Sequence, residues 1–133
     1  MNKLNLVWLA MALAACSAPA PLGPQPMAQL GPALSADEAR SHMVGNTGTG
    51  TRTSTNSDWN MYVAPDGTLA ATAPHRAEAG RWRFADDGKF CMTWTADWDG
   101  KELCQSVHRS GASIQLSSPA SLEILTFMPG KRL

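Results

Sequence analysis

The sequence lacks most of what marks a catalyst or a nucleic-acid binder. Eleven basic residues are matched by eleven acidic ones, the two signs are interspersed, and no block of one sign occurs. A nucleic acid or an anionic membrane surface therefore finds no complementary face. There is no C-x-x-C pair, and "GNTGTG" at 45–50 offers glycines without the Gly-Lys-Ser/Thr that a phosphate loop needs. No serine stands in a nucleophile-elbow setting. His42, His75 and His108 share no metal-ligand spacing, and Glu38 with His42 makes at most one helical pair. Asp97, Asp99 and Glu102 fall short of a calcium-loop pattern and read as turn residues. A chain without activated nucleophile, ligand set or cofactor loop reads as a binding protein and not an enzyme, with no metal or cofactor expected.

A long hydrophobic run is also missing. Lys3 opens a positive amino-terminal region and Leu4 to Ala15 are apolar apart from Asn5, which is too short for the roughly 20 residues that cross a bilayer. This is the layout of an export signal, residues 1–15. Its ending, Leu13-Ala14-Ala15-Cys16, resembles the bacterial lipobox, in which the cysteine becomes the first mature residue and carries acyl chains such as palmitate. That resemblance implies a membrane partner for Cys16. Ser17 in place of aspartate favours the outer membrane of a Gram-negative envelope. Residues 16–34 then hold Pro19, Pro21, Pro24, Pro26 and Pro32 and no charge. They read as a semi-rigid tether of up to about 3 Å per residue.

Residues 35–133 are enough for one small domain with one core. Ser35-Ala36-Asp37-Glu38 is a capping box that opens a short helix, and Gly45 can end it. Strand-like segments follow at short intervals: Thr47 to Thr55 with Thr at every second position, Trp59 to Val63, Thr68 to Thr72, "RWRF", "KFCMTWT", "ELCQSVH", "SIQLS" and "LEILTF". The expectation is a mainly β domain: an up-and-down antiparallel meander or small barrel of about eight strands, lipocalin-like, preceded by one helix. "GNTGTG" reads as a helix end entering an edge strand. With Cys16 given to lipid, Cys91 and Cys104 remain, flanking the turn-rich "ADWDG". They are expected to face each other across one hairpin as a disulfide.

The runs "YVAPDGTL", "AEAGRWRFADDGKFCMTW" and "ELCQSVHRSGASIQLSS" resemble a family of small exported proteobacterial proteins of unknown function. The matching positions are Tyr62, Asp66, Gly67, Gly80, Trp82, Gly88, Lys89, Cys91, Cys104 and His108, within Trp59 to Ser118. The resemblance implies a fold and an address and no activity.

Alternation places Trp82 with Phe84, and Phe90 with Met92 and Trp94, in the core. Trp98 differs, because it lies in a turn between Asp97 and Asp99, where a ring serves as a recognition anchor or folds back over the barrel mouth. The functional expectation is an outer-membrane-anchored lipoprotein, facing the periplasm or the surface. It would act as a binding module, either inhibiting a hydrolase or holding a small apolar ligand, by analogy with lysozyme-inhibitor lipoproteins, whose Ser-Gly and Tyr motif is absent. The alternative is a structural or assembly factor of the envelope with an envelope protein as partner. Interior volume separates the variants, since a barrel filled by Trp82, Met92 and Trp94 leaves no room for an apolar ligand.

Overall fold

The computed structural model describes residues 30–52, 56–73, 76–96 and 100–133; for Arg52 and Arg76 only the backbone is described. Ser35 caps helix α1 (Ala36–Met43): its hydroxyl accepts from the Glu38 amide at 3.2 Å, and the Glu38 carboxylate accepts the Ser35 amide at 3.1 Å. Both bonds satisfy amides that the first helical turn cannot pair. Gly45 follows with φ 81° and donates to the Val63 carbonyl. That left-handed turn lets the chain leave the helix straight into the sheet.

Eight strands then form one closed barrel, each pairing with the next and the last with the first. They are β1 (Asn46–Arg52), β2 (Ser57–Val63), β3 (Thr68–Ala73), β4 (Arg76–Phe84), β5 (Phe90–Trp94), β6 (Glu102–Ser110), β7 (Ser113–Ser118) and β8 (Ser121–Pro129). All pairings are antiparallel, and the expected up-and-down barrel with one preceding helix is what forms. One element differs from expectation: β1 is no edge strand, because it pairs with β2 on one side and β8 on the other from Asn46↔Pro129 to Arg52↔Glu123. Closure removes the edge. The alternation "TGTGT" explains how β8 comes so near. Thr47, Thr49 and Thr51 point out, while Gly48 and Gly50 point in; a Cβ at Gly50 would collide with the Ile124 carbonyl oxygen, and one at Gly48 with the Phe127 ring.

The helix stoppers one end. Ala39 and Met43 are fully buried, and Arg40 lies 5.6 Å and 5.1 Å over the Trp82 and Phe84 rings, which pack with Phe90. Trp82 and Phe84 are half-buried here, under the helix. Burial of rings such as Phe90 contributes about 2 to 3 kcal/mol each. Val63 and Leu69 fill the same end beside the β2–β3 turn, and the interior beyond is filled by Met61, Met92, Leu116 and Leu125, all buried.

Residues 31–34 lie along the outer part of β6. β5 pairs with β6 only as far as Phe90↔Gln105. The flank beyond is taken by the chain ahead of the helix, with Leu34 donating to the Val107 carbonyl and Arg109 to the Pro32 carbonyl. Gln115 Oε1 accepts the Gly31 amide at 2.8 Å, and the His108 ring bridges the Gly31 carbonyl at 3.0 Å and the Ser106 hydroxyl at 2.9 Å. A Cβ at Gly31 would collide with the Arg109 carbonyl oxygen.

Candidate functional site

In this topology the β1–β2, β3–β4, β5–β6 and β7–β8 connections all gather at the end of the barrel away from α1. Its inward-facing residues are unlike those of the rest of the core. On β8 burial alternates so that Ser121, Glu123 and Leu125 face in. Glu123 is wholly buried, opposite Arg52 in register, and is engaged by its surroundings. Gln105 on β6, also wholly buried, donates its amide to the Leu116 carbonyl at 3.4 Å and the Ser121 hydroxyl at 3.3 Å. Trp59 and Trp94 pack edge to face, 6.3 Å between centroids and 70° between planes. One barrel end is thus apolar and capped, the other polar and lined by two indoles.

The rim at this end is braced where β5 leaves the barrel. The Thr95 amide and hydroxyl both donate to the Ala79 carbonyl, at 3.0 Å and 2.8 Å, and the Ala96 amide donates to Glu78 Oε1 at 3.0 Å. Cys91 and Cys104 are direct cross-strand partners and form the expected disulfide on the outer face. Next to it, Arg83 donates two bonds to Glu102, at 2.8 Å and 2.6 Å. The Arg83 hydrogen bonds hold the Glu102 carboxyl below its ordinary range and raise the Arg83 guanidinium. At the helix end of the barrel, hydrogen bonds from Thr68 likewise lower Asp66. A groove of about 250 Å³ lies between β4 and β5, lined by Ala79, Gly80, Arg81, Thr93, Trp94 and Thr95. A Cβ at Gly80 would collide with the Thr93 carbonyl oxygen and press on the Trp94 ring.

The sequence-expected residues fare unequally. Cys91 and Cys104 are brought together. Asp97, Trp98 and Asp99 of the expected binding loop lie outside the described residues, as do Cys16 and His75. Phe90, Met92 and Trp94 are in the core as alternation indicates. His108 fastens the segment ahead of the helix, and Glu38 serves the helix cap instead of pairing with His42. Among the described residues one cluster has metal-ligand proximity, Cys91, Glu102 and Cys104. Both its sulfurs are spent in the disulfide and its carboxylate is held by Arg83. Comparison with family models, curated proteins and solved structures finds no match to this chain.

Sequence reasoning missed the inward-facing polar residues. In "SLEILTF" apolar side chains occupy both faces, so Glu123 between Leu122 and Ile124 reads as the solvent-facing residue, and only closure turns it inward. The Thr-Gly alternation of β1 was a legible signal for close approach of a neighbouring strand.

Proposed function

We propose that this chain is a lipid-anchored envelope protein, held through acyl chains on Cys16, whose barrel is a non-catalytic binding module. Recognition takes place at the barrel end opposite α1, through the loop from Ala96 to Lys101, with Trp98 as anchor and Asp97 and Asp99 beside it. The partner is an envelope protein or an incoming hydrolase. The observation that carries this reading is the bracing of both arms of that loop, by the Cys91–Cys104 disulfide, the paired Arg83–Glu102 contact and the bonds from Thr95 and Ala96 to β4. A loop rooted in this way has little entropy left to lose on binding. An apolar-ligand carrier is disfavoured, because Met61, Met92, Leu116 and Leu125 fill the middle of the barrel and the buried Gln105, Ser121 and Glu123 line its end away from α1.

Crosslinking and capture from intact cells with the tethered protein tests the reading, with Trp98→Ala alongside. Loss of a true anchor weakens capture by about thirtyfold, equivalent to 2 kcal/mol, at unchanged thermal stability. Unaltered capture with a lowered melting temperature would assign Trp98 to the core and overturn the loop as the site. Capture of cell-wall material alone would favour the structural role.

A further inference from the structure

Arg81 stands apart from the other arginines whose side chains are described. Arg40 lies over the Trp82 and Phe84 rings, Arg83 holds Glu102, Arg109 donates to the Gly111 carbonyl and Arg132 to the Pro129 carbonyl. Arg81 makes no hydrogen bond, ion pair or ring contact among the described residues. Its charge is felt by Asp66, whose carboxylate is already held by the Thr68 amide and hydroxyl at 3.0 Å and 2.6 Å.

This guanidinium borders the groove between β4 and β5. Arg81 and Thr93 are direct cross-strand partners, and the pairs on either side of them, Gly80↔Trp94 and Trp82↔Met92, put the buried Trp94 and Met92 into the core. Alternation therefore turns Arg81 and Thr93 outward together. The Thr95 hydroxyl donates to the Ala79 carbonyl, whereas the Thr93 hydroxyl has no partner among the described residues. At about 250 Å³ the groove has room for one side chain.

The unused groups define the chemistry of what fits. A guanidinium presents its N–H donors in a planar fork that matches a carboxylate with two parallel bonds, and the hydroxyl of Thr93 adds a donor beside it. No acidic group of the barrel competes for Arg81 at this point: Glu102, opposite Thr93 in register, is held by both bonds from Arg83. A cation is repelled, and an apolar side chain leaves the guanidinium unpaired. We propose that the groove between β4 and β5 receives the carboxylate of an aspartate or glutamate side chain on the protein partner, paired by Arg81 and Thr93. That the partner is a protein rests on the function proposed above. Thr95 lines the groove and precedes the loop that leaves β5, so one partner surface meets both. An exposed ion pair adds little affinity; its effect is to select partners that carry an acid at this point.

The test selects binders of the full chain from a random peptide library, with the Arg81→Gln chain as counter-target. The expected result is a set of peptides that share an aspartate or glutamate at one position, shift the Gly80, Thr93 and Thr95 amides in ¹⁵N spectra, and bind about fivefold more weakly to Arg81→Gln at low salt. Replacing the shared acid by its amide should cost the same factor, and Arg81→Lys should restore part of the binding. Because Arg81 has no contact to lose, the melting temperature of Arg81→Gln should equal that of the parent. Absence of any peptide that depends on Arg81 overturns the proposal, as does dependence without a shared acid. Displacement of the peptides by millimolar inorganic phosphate would mark a small-anion site and overturn the protein side chain as occupant. In capture from intact cells, loss through Trp98→Ala alone keeps the loop and overturns the groove, and loss through Arg81→Gln alone does the reverse.

Discussion

Opening the Cys91–Cys104 bond should remove a large share of the stability of this domain, and the size of the loss can be worked out. The bridge closes a loop with a sequence separation of 13, for which the chain-entropy relation gives roughly 3 kcal/mol at 25 °C through restriction of the unfolded chain. A domain of this size is stable by about 5 to 15 kcal/mol in total. At roughly 4 to 8 °C per kcal/mol, the melting temperature should fall by about 15 °C. Reduction is a cleaner perturbation than replacement, since Cys91 is wholly buried and an alanine there would add the cost of lost packing. The native contacts at this point are held independently by the Met92↔Leu103 and Thr93↔Glu102 pairings and by the Arg83–Glu102 contact, so the reduced barrel should keep its fold and lose stability. Thermal melts with and without reductant, with far-ultraviolet circular dichroism to follow the strands, measure the effect. A reduced protein that melts within a degree or two of the oxidised one would refute the entropic account, and quantitative thiol labelling of the oxidised, denatured chain would refute the bond itself.

Further outcomes follow from the same contacts. Cys16→Ser should abolish fatty-acid incorporation and release the protein from the membrane fraction; retention with continued labelling would rule out the anchor. Gly31→Ala forces a collision with the Arg109 carbonyl and should cost about 2 kcal/mol, with faster hydrogen exchange at the Leu34 and Arg109 amides and little change at β2 and β3. Asp66 and Glu102 both have lowered folded-state pKa values. The stability they contribute is therefore present above their ordinary carboxylate values and is lost as pH falls through the lower folded ones. Acid melts should show this, and Glu102→Gln should flatten the curve, whereas an unchanged pH profile would dissociate Glu102 from the effect.

How much of this was legible in the sequence depends on how local each feature is. The helix start is written in four consecutive residues, and Ser35 and Glu38 make both bonds of the capping box. The disulfide hairpin is nearly as local, with β-formers on both sides of one turn. Closure is different, because it joins β1 to β8 across almost the whole domain, and the Thr-Gly alternation in "GNTGTG" signals close approach of a neighbour without saying which strand supplies it. The polar interior is hidden for a related reason. Leu122 and Ile124 are half-buried on the outer face of β8 while Ser121 and Glu123 are buried on the inner one, so hydropathy alone gives the wrong phase. Gln105 shares its inner face with Val107 between the outward Cys104, Ser106 and His108, and its phase is set by the disulfide register.

The course of the chain ahead of the helix bears on which end of the barrel is free to meet a partner. Residues 31–34 run antiparallel to β6, with Ala33 opposite His108 and Pro32 bonded at Arg109. They therefore enter beside the Ser110 end of β6, which lies at the same end of the barrel as α1. If Cys16 is acylated, the proline-rich segment between it and this entry point spans up to about 40 Å, and any pull along it is applied to the capped end. His108, Gln115 and the backbone of β6 fasten that entry, so the tether joins the sheet itself and not a loose terminus. The polar, braced end that carries the β5–β6 connection lies at the opposite end of the barrel from this entry.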